Sequence, residues 1–433
     1  MGWPLALVGS EEGKRPMRVL HSSDWHLGHT LYDTSREAEH AAFLEWLLIT
    51  LEERAVDALL VAGDIFDTAN PSAEAQAAWY QFVAQARRRL PRLDIVVIGG
   101  NHDSAGRLDA PDPLFSALGV RVVGGLPRAR GVMDLDRVLV PLHDARGAVG
   151  AWVAAVPYLR SSDLPSTIRN GEAPDPLIEG VRAVYAEVLE AARERRRPGQ
   201  ALVAMGHCYM VGTELSQFSE RKILGGNLHA LPVELFPEDV AYVALGHLHK
   251  AQRVGGREGV RYSGSPLPLS LSEAGYTHQV LLVDLEGERL SGVESLPVPR
   301  RVKISRVPHD VPALELDAVV TRLEALPALL PDTPDWERPY LEVCVSLQRP
   351  EPTLRRRVEA ALEGKAARLV KLTPSYTGSG YALADGGPGL SLRERTPEDV
   401  FRARYARDYE APLEAPLLEA FHALLTQVQE DAS

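Results

Sequence analysis

Ala58-Leu59-Leu60-Val61-Ala62-Gly63-Asp64 is an unbroken apolar run that stops on a glycine and then an aspartate. The same grammar recurs along the chain. Arg18-Val-Leu-His-Ser-Ser precedes Asp24, Ile95-Val-Val-Ile-Gly-Gly precedes Asn101, Leu202-Val-Ala-Met-Gly precedes His207, and Val240-Ala-Tyr-Val-Ala-Leu-Gly precedes His247. Short runs of β-branched and aliphatic residues read as strands buried on both faces. Helical patterns separate them: Ser35 to Arg54, with Phe43, Leu44, Leu47, Leu48 and Leu51 on one stripe; Ser72 to Leu90, acidic at its start and basic at its end; and Val181 to Arg197. Strands alternating with helices predict an α/β domain, in which ligands gather at the carboxyl ends of strands. Here those ends carry the polar residues.

This first domain is expected to span residues 17–298, with His278 to Leu285 as its last strand, before Pro297, Pro299 and Arg300-Arg301 break the pattern. A smaller α/β module follows over 299–388. Its expected strands are Val302 to Val307, Leu341 to Leu347 and Arg368 to Thr373, and its helices Leu314 to Leu326 and Leu354 to Leu362. Pro374 to Ser391 is Gly- and Ser-rich and reads as a linker. Thr396-Pro397-Glu398-Asp399 opens a helix with Thr at the N-cap and Pro at N1. A terminal stripe of Leu417, Leu418, Phe421, Leu424, Leu425 and Val428 must dock on something. Residues 389–433 form this C-terminal helical tail, and residues 1–16 read as a disordered leader.

The chain has 433 residues, a formal net charge of -12 and two cysteines, Cys208 and Cys344, which make neither a disulfide framework nor a CxxC pair and fit a reducing cytoplasm. No run of about 18 apolar residues crosses a membrane, and the first residues lack the marks of a secretory signal. The acidic balance weighs mildly against a protein that coats DNA, although aspartates that hold metal count as negative until loaded. Residues 299–388 hold 13 Lys plus Arg against 12 Asp plus Glu; a total of -12 with +1 here leaves -13 elsewhere. Arg300, Arg301 and Lys303, then Arg355, Arg356 and Arg357, either form a solvated face or face nucleic acid.

The ordered set Asp24-x-His26, Gly63-Asp64-x-x-Asp67, Gly100-Asn101-His102-Asp103, Gly206-His207 and Gly246-His247-x-His249 carries the chemistry. Any one of these histidines alone is more simply a hydrogen-bonded or solvent-facing residue. Five strand ends each delivering metal-competent side chains are not a coincidence. Phosphodiester hydrolysis needs a nucleophile at neutral pH and charge neutralisation at phosphoryl oxygens, and two divalent ions supply both. Mixed His, Asp and Asn donors favour manganese, iron or zinc over calcium. Of the remaining polar candidates, His21 reads as structural, His29 as a loop residue near substrate, and Cys208 as buried and inert. Trp25 is expected to pack rather than to stack on a base.

The set matches the calcineurin-like metallophosphoesterases. Within them, Met17 to Gly28, Ser35-Arg-Glu-Ala-Glu-His40, Val61-Ala-Gly-Asp-Ile-Phe-Asp67, Ala244-Leu-Gly-His-Leu-His249 and Val260 to Leu269 resemble the SbcD family of nuclease subunits. The likeness is dense from Met17 to about Asp284, looser in the second module, and resumes at Glu398-Asp-Val-Phe401. It implies a two-sheet α/β sandwich, where strand alternation alone suggests a simpler doubly wound sheet, followed by a small capping domain and C-terminal helices. It implies two divalent cations, manganese first among them. Asp24, His26 and His249 hold one, Asn101, His207 and His247 the other, and Asp64 bridges, with water between the metals as nucleophile. His102 serves the leaving oxygen, Asp103 orients His102, and Asp67 supports a ligand. It further implies 3′-to-5′ exonuclease and single-strand endonuclease action on DNA, a homodimer paired through the catalytic domains, and an SbcC-type coiled-coil ATPase bound by the C-terminal helices. The chain has no G-x-x-x-x-G-K-[ST] loop of its own. A phosphatase on the same scaffold is the alternative, but Asp67 is followed by Thr68 rather than the Arg that grips a phosphomonoester there. A tethering subunit with purely structural metals is a third reading, against which the His102-Asp103 pair speaks.

Overall fold

The computed structural model describes residues 15–165, 175–214, 230–348, 351–376 and 396–408, with 413, 417–418, 420–422 and 424–425 of the tail. Strands are numbered within the three principal sheets. The first sheet begins with β1 (Met17–Ser22), β2 (Ala58–Ala62), β3 (Asp94–Ile98) and β4 (Val120–Val123). The second holds β5 (Leu139–His143), β6 (Val149–Ala155), β7 (Ala201–His207), β8 (Tyr242–Gly246), β9 (Gln252–Val254) and β10 (Arg257–Tyr262). The chain then returns to the first sheet as β11 (Gln279–Glu286) and β12 (Arg289–Pro297). The strand orders are β12-β11-β1-β2-β3-β4 and β9-β10-β8-β7-β6-β5. The first sheet is parallel from β1 to β4 and antiparallel through β11 and β12 at one margin, while the second keeps a parallel centre with an antiparallel pair at each margin.

Side-chain alternation divides the first sheet between two cores. Val19, Leu60, Ala62, Val96 and Ile98 face the second sheet, while Leu20, Leu59, Val61, Ile95 and Val97 face α1 (Glu37–Glu53) and α2 (Ala73–Arg89). That is why these strands read as continuous apolar runs rather than alternating ones. Ser72 caps α2 by accepting from the Ala75 N–H. α3 (Pro176–Arg195) packs Val181, Val184, Tyr185, Val188 and Leu189 into the core of the second sheet. It starts five residues before the sequence pattern does, because Asp175 caps it and Pro176 fits the first turn.

The sandwich architecture is as the family resemblance implies, and the doubly wound single sheet that alternation suggests is not formed. The domain also runs one strand past the expected last one, and β4, β5, β6, β9 and β10 were likewise not among the expected strands. β12 follows β11 through a hairpin at Gly287 (φ 58°), and its half-exposed residues hid it from the apolar pattern.

The second module is a four-stranded sheet of β13 (Ile304–Val307), β14 (Leu314–Glu315), β15 (Tyr340–Leu347) and β16 (Arg368–Tyr376). β15 pairs in parallel with the other three. Helices α4 (Leu316–Glu324) and α5 (Leu354–Ala361) close its separate core around Val319, Leu323, Val343, Val345 and Val358. The module sits on the first domain through Leu31, Val302 and Tyr340. Pro374, Ser375 and Tyr376, expected to open the linker, complete β16; the remainder of the linker lies outside the described residues. So does the leader up to residue 14, while Arg15 is fixed by an ion pair to Asp57 at 2.6 Å. In the tail, α6 (Pro397–Asp408) has the expected capping box, with the Asp399 N–H donating to Thr396 Oγ1 and the Thr396 N–H to Asp399 Oδ2. The Phe401 ring stacks on Phe421 at 4.2 Å.

Candidate metal centre

The carboxyl ends of β1, β2 and β3 from the first sheet meet those of β7 and β8 from the second along one edge of the sandwich. The turns that follow are tight. Asp24, His26, Asp64 and His247 all have positive φ (54°, 47°, 51° and 101°), a region costing such residues on the order of 1–3 kcal/mol each. Parallel pairing continues past the strands, with the Asp24 N–H donating to Gly63 O and the His26 N–H to Asp64 O, both at 3.0 Å. The glycines before the polar residues make room. A Cβ on Gly63 would fall 2.3 Å from His207 Nδ1, and one on Gly246 1.9 Å from Ala62 O.

Ligand atoms of Asp24, His26 and His249 all lie within 4.8 Å of one another, as do those of Asp24, Asp64 and His207, and those of His26, Asp64 and His102. One oxygen, Asp64 Oδ2, lies 3.6 Å from His26 Nε2 and 3.3 Å from His207 Nε2. It therefore stands between a residue expected at the first metal and one expected at the second. Asn101 Oδ1 is 2.9 Å from His207 Nε2 and 3.0 Å from His247 Nδ1, which brings the second trio together.

The imidazoles are held for this task. His26 Nδ1 meets Asp67 Oδ1 at 3.1 Å, His207 Nδ1 meets Ala62 O at 2.9 Å, and His249 Nδ1 meets Glu273 Oε1 at 3.0 Å. An acceptor on Nδ1 keeps the proton there and leaves Nε2 as a lone-pair donor. His26 Nε2 is buried without a hydrogen-bond partner, an arrangement that costs free energy in a polar atom unless a metal takes the lone pair. The residues thus fit a pair of divalent cations.

Electrostatics agree. Burial works against ionising Asp64, but His207, His26 and His102 outweigh it and hold its carboxyl well below the usual range. Burial likewise opposes a charged His207, and Asp64 overrides it, raising the ring to about 9. Burial, then His207, lowers His247 to about 3, so it stays a neutral donor.

Asp103 departs from its expected role. Its carboxylate accepts from the backbone N–H groups of Gly100 (2.9 Å), Phe66 (3.0 Å) and Ile65 (3.1 Å). It ties two ligand-bearing turns together. The backbone carbonyl of Asp67, 2.7 Å from His102 Nδ1, orients His102 instead. Burial, with Asp64 next, raises Asp103 to about 6.

Trp25 packs as expected, fully buried among Phe43, Trp79 and Phe82, its Nε1–H donating to Ser22 Oγ at 2.8 Å. His21 is buried against Tyr242, and burial pushes the Cys208 thiol up to about 12. Sequence reading missed Glu273, which is fully buried, and Tyr158, whose ring edge faces His207 at 6.2 Å. Tyr158 stands on a loop and Glu273 on the short 3-10 helix Leu271–Gly275, where no periodicity marks them.

Residues 17–251 match the model of the calcineurin-like phosphoesterases, and residues 300–409 that of the type 5 capsule protein repressor C-terminal domain. The chain is 44% identical over 395 residues to the SbcD component of the SbcCD nuclease of Rhodobacter capsulatus, covering 90% of this chain and 94% of that one. To the corresponding SbcCD component of Escherichia coli K12 it is 33% identical over 90% of this chain and 93% of the relative.

This chain belongs to the SbcD family.

It is accordingly a metal-dependent nuclease built on a calcineurin-like phosphoesterase domain. The SbcD of Bacillus subtilis, 36% identical, matches over 65% of this chain and 69% of its own length. The described SbcD-family residues here include no helix long and apolar enough to cross a membrane.

Proposed function

We propose that this chain hydrolyses DNA phosphodiester bonds as a 3′-to-5′ double-strand exonuclease and a single-strand and hairpin endonuclease, using two divalent cations of which manganese is the working ion. The observation that carries this reading is Asp64 Oδ2, poised between His26 and His207. The cations supply a nucleophile at neutral pH and offset charge on the phosphoryl oxygens. Asp24, His26 and His249 would hold one, Asn101, His207 and His247 would hold the other, and Asp64 would serve both. His102 presents a ring nitrogen within 4.8 Å of ligand atoms of His26 and Asp64. With its Nδ1 on the Asp67 carbonyl, the ring is positioned to protonate or stabilise the leaving oxygen. Asp103 is a positioning residue that fixes the turns carrying Asp64 and His102.

The relatives' name describes one component of SbcCD, and we read this chain as the partner of an SbcC-type ATPase. The paired Phe401 and Phe421, with Leu417 and Leu424 left exposed, support docking through residues 389–433. Exposed Tyr80, Leu114 and Leu118 on the catalytic domain offer a face for a homodimer. Residues 299–388 are read as a DNA-facing cap. Arg355 and Arg357 pair with Glu359 and Asp317, so a cap-guided path draws its support from the family rather than from those arginines.

A manganese-titrated assay on end-labelled duplex and hairpin DNA, beside His102→Ala and a phosphomonoester, tests the reading. Manganese-dependent DNA cleavage that His102→Ala lowers by about 10²–10⁴-fold is the expected result. Rapid phosphomonoester hydrolysis with intact DNA overturns it in favour of a phosphatase.

A further inference from the structure

A continuous buried polar chain links the ligand His249 to the second module. Glu273, whose Oε1 meets His249 Nδ1, uses its Oε2 to accept the Leu269 N–H at 2.7 Å. Next to Leu269, the Pro268 carbonyl accepts from Arg36 Nη1 at 2.5 Å. Arg36 grips Glu39 with two further bonds, 2.8 Å from Nε to Oε1 and 3.1 Å from Nη2 to Oε2. Glu39 Oε1 in turn accepts the Tyr340 hydroxyl at 2.6 Å. Tyr340 is the first residue of β15, the strand around which the second module is built. Arg36, Glu39, His249, Glu273 and Tyr340 are all buried, Arg36 at 1% exposure and Glu273 at 0%. Arg300, at the junction, donates to the Ala274 and Tyr276 carbonyls and so clamps the same loop from its other side.

A buried arginine–carboxylate pair is a poor source of stability compared with apolar packing, because both charges must leave water. In a low-dielectric setting its geometry is stiff, and a displaced member leaves an uncompensated charge. Five such groups in series transmit position well. None of them faces the first domain's apolar core alone; each either touches the ligand loop or touches the second module.

We infer that Glu273 is a positioning residue for His249, and that the Arg36–Glu39–Tyr340 chain makes its aim depend on how the second module is seated. The inference rests on the two-metal reading above. Unseating β15 withdraws the Tyr340 hydroxyl from Glu39, frees Arg36 from its fixed place, and loosens the Pro268–Glu273 loop that turns His249 toward the first metal. Firm seating of the module thereby tightens that metal, and lifting of the module slackens it. The second metal, held by Asn101, His207 and His247, lies outside the chain.

Manganese titrations followed by calorimetry and by electron paramagnetic resonance, without DNA, test this. Wild-type protein binds two ions; failure to do so overturns the two-metal reading itself. Glu273→Gln weakens one of the two by roughly 10- to 100-fold. Tyr340→Phe removes only the hydroxyl and keeps the ring in its apolar cluster, and it weakens the same ion by roughly 2- to 30-fold. The double variant is less than additive. Wild-type affinities in Tyr340→Phe or strict additivity in the double variant overturns the inference.

Discussion

Replacing Gly100 by alanine adds one methyl group at a crowded point of the centre. The new Cβ would lie 2.1 Å from Asp64 Oδ1, 2.4 Å from the Asp64 backbone nitrogen and 2.7 Å from its Cγ, where ordinary contact begins at 3.4 Å. Rotation of the Asp64 side chain cannot relieve the clash, because the backbone nitrogen is also too close. The turns after β2 and β3 must part by more than about 1 Å, and a shift of that size costs about 10²-fold in a catalytic site. It also stretches the 2.8 Å bond from the His102 N–H to Asp64 Oδ1 and the Asp103 bonds that tie the turns. Overpacking of this kind costs about 1–3 kcal/mol of stability. We expect Gly100→Ala to fold with a lowered Tm, to retain fewer than two manganese ions per chain after dialysis, and to cleave DNA at least about 10²-fold more slowly. Two tightly held ions and near-normal cleavage would refute the claim that Asp64 is wedged between the strand ends.

Three further outcomes follow from the same geometry. Trp25→Ala removes a fully buried ring from between two ligands, and chemical denaturation should show a loss of about 3–5 kcal/mol. In metal-free protein, His207 is raised to about 9 from 6.5. Its contribution to stability is complete below pH 6.5 and is lost as pH rises to about 9, so the Tm of the chelated protein should fall across that window. Metal binding must expel the same proton, so manganese affinity should rise over that window, by up to about tenfold per pH unit; a flat calorimetric profile would contradict this.

The candidate ligands were legible because each follows a strand buried on both faces, where an apolar run stopping at a polar residue is conspicuous. Which parallel strands share a sheet was not, since β1 to β3 and β7 to β8 read alike; the division came from the family resemblance. The family resemblance implied that Asp103 orients His102, yet the chain turns so that its carboxylate accepts from backbone N–H groups. Glu273 lies on a short 3-10 helix after β10, 24 residues from its partner His249, and nothing in local spacing connects them. β12 escaped because a half-exposed edge strand has no run to recognise.

The most direct test of the account is the electron paramagnetic resonance spectrum of manganese-saturated protein beside Asp64→Asn. A bridging Asp64 predicts two ions about 3.5–4 Å apart, seen as an exchange-coupled pair that disappears in the variant. Isolated, uncoupled manganese in active wild-type protein would contradict it.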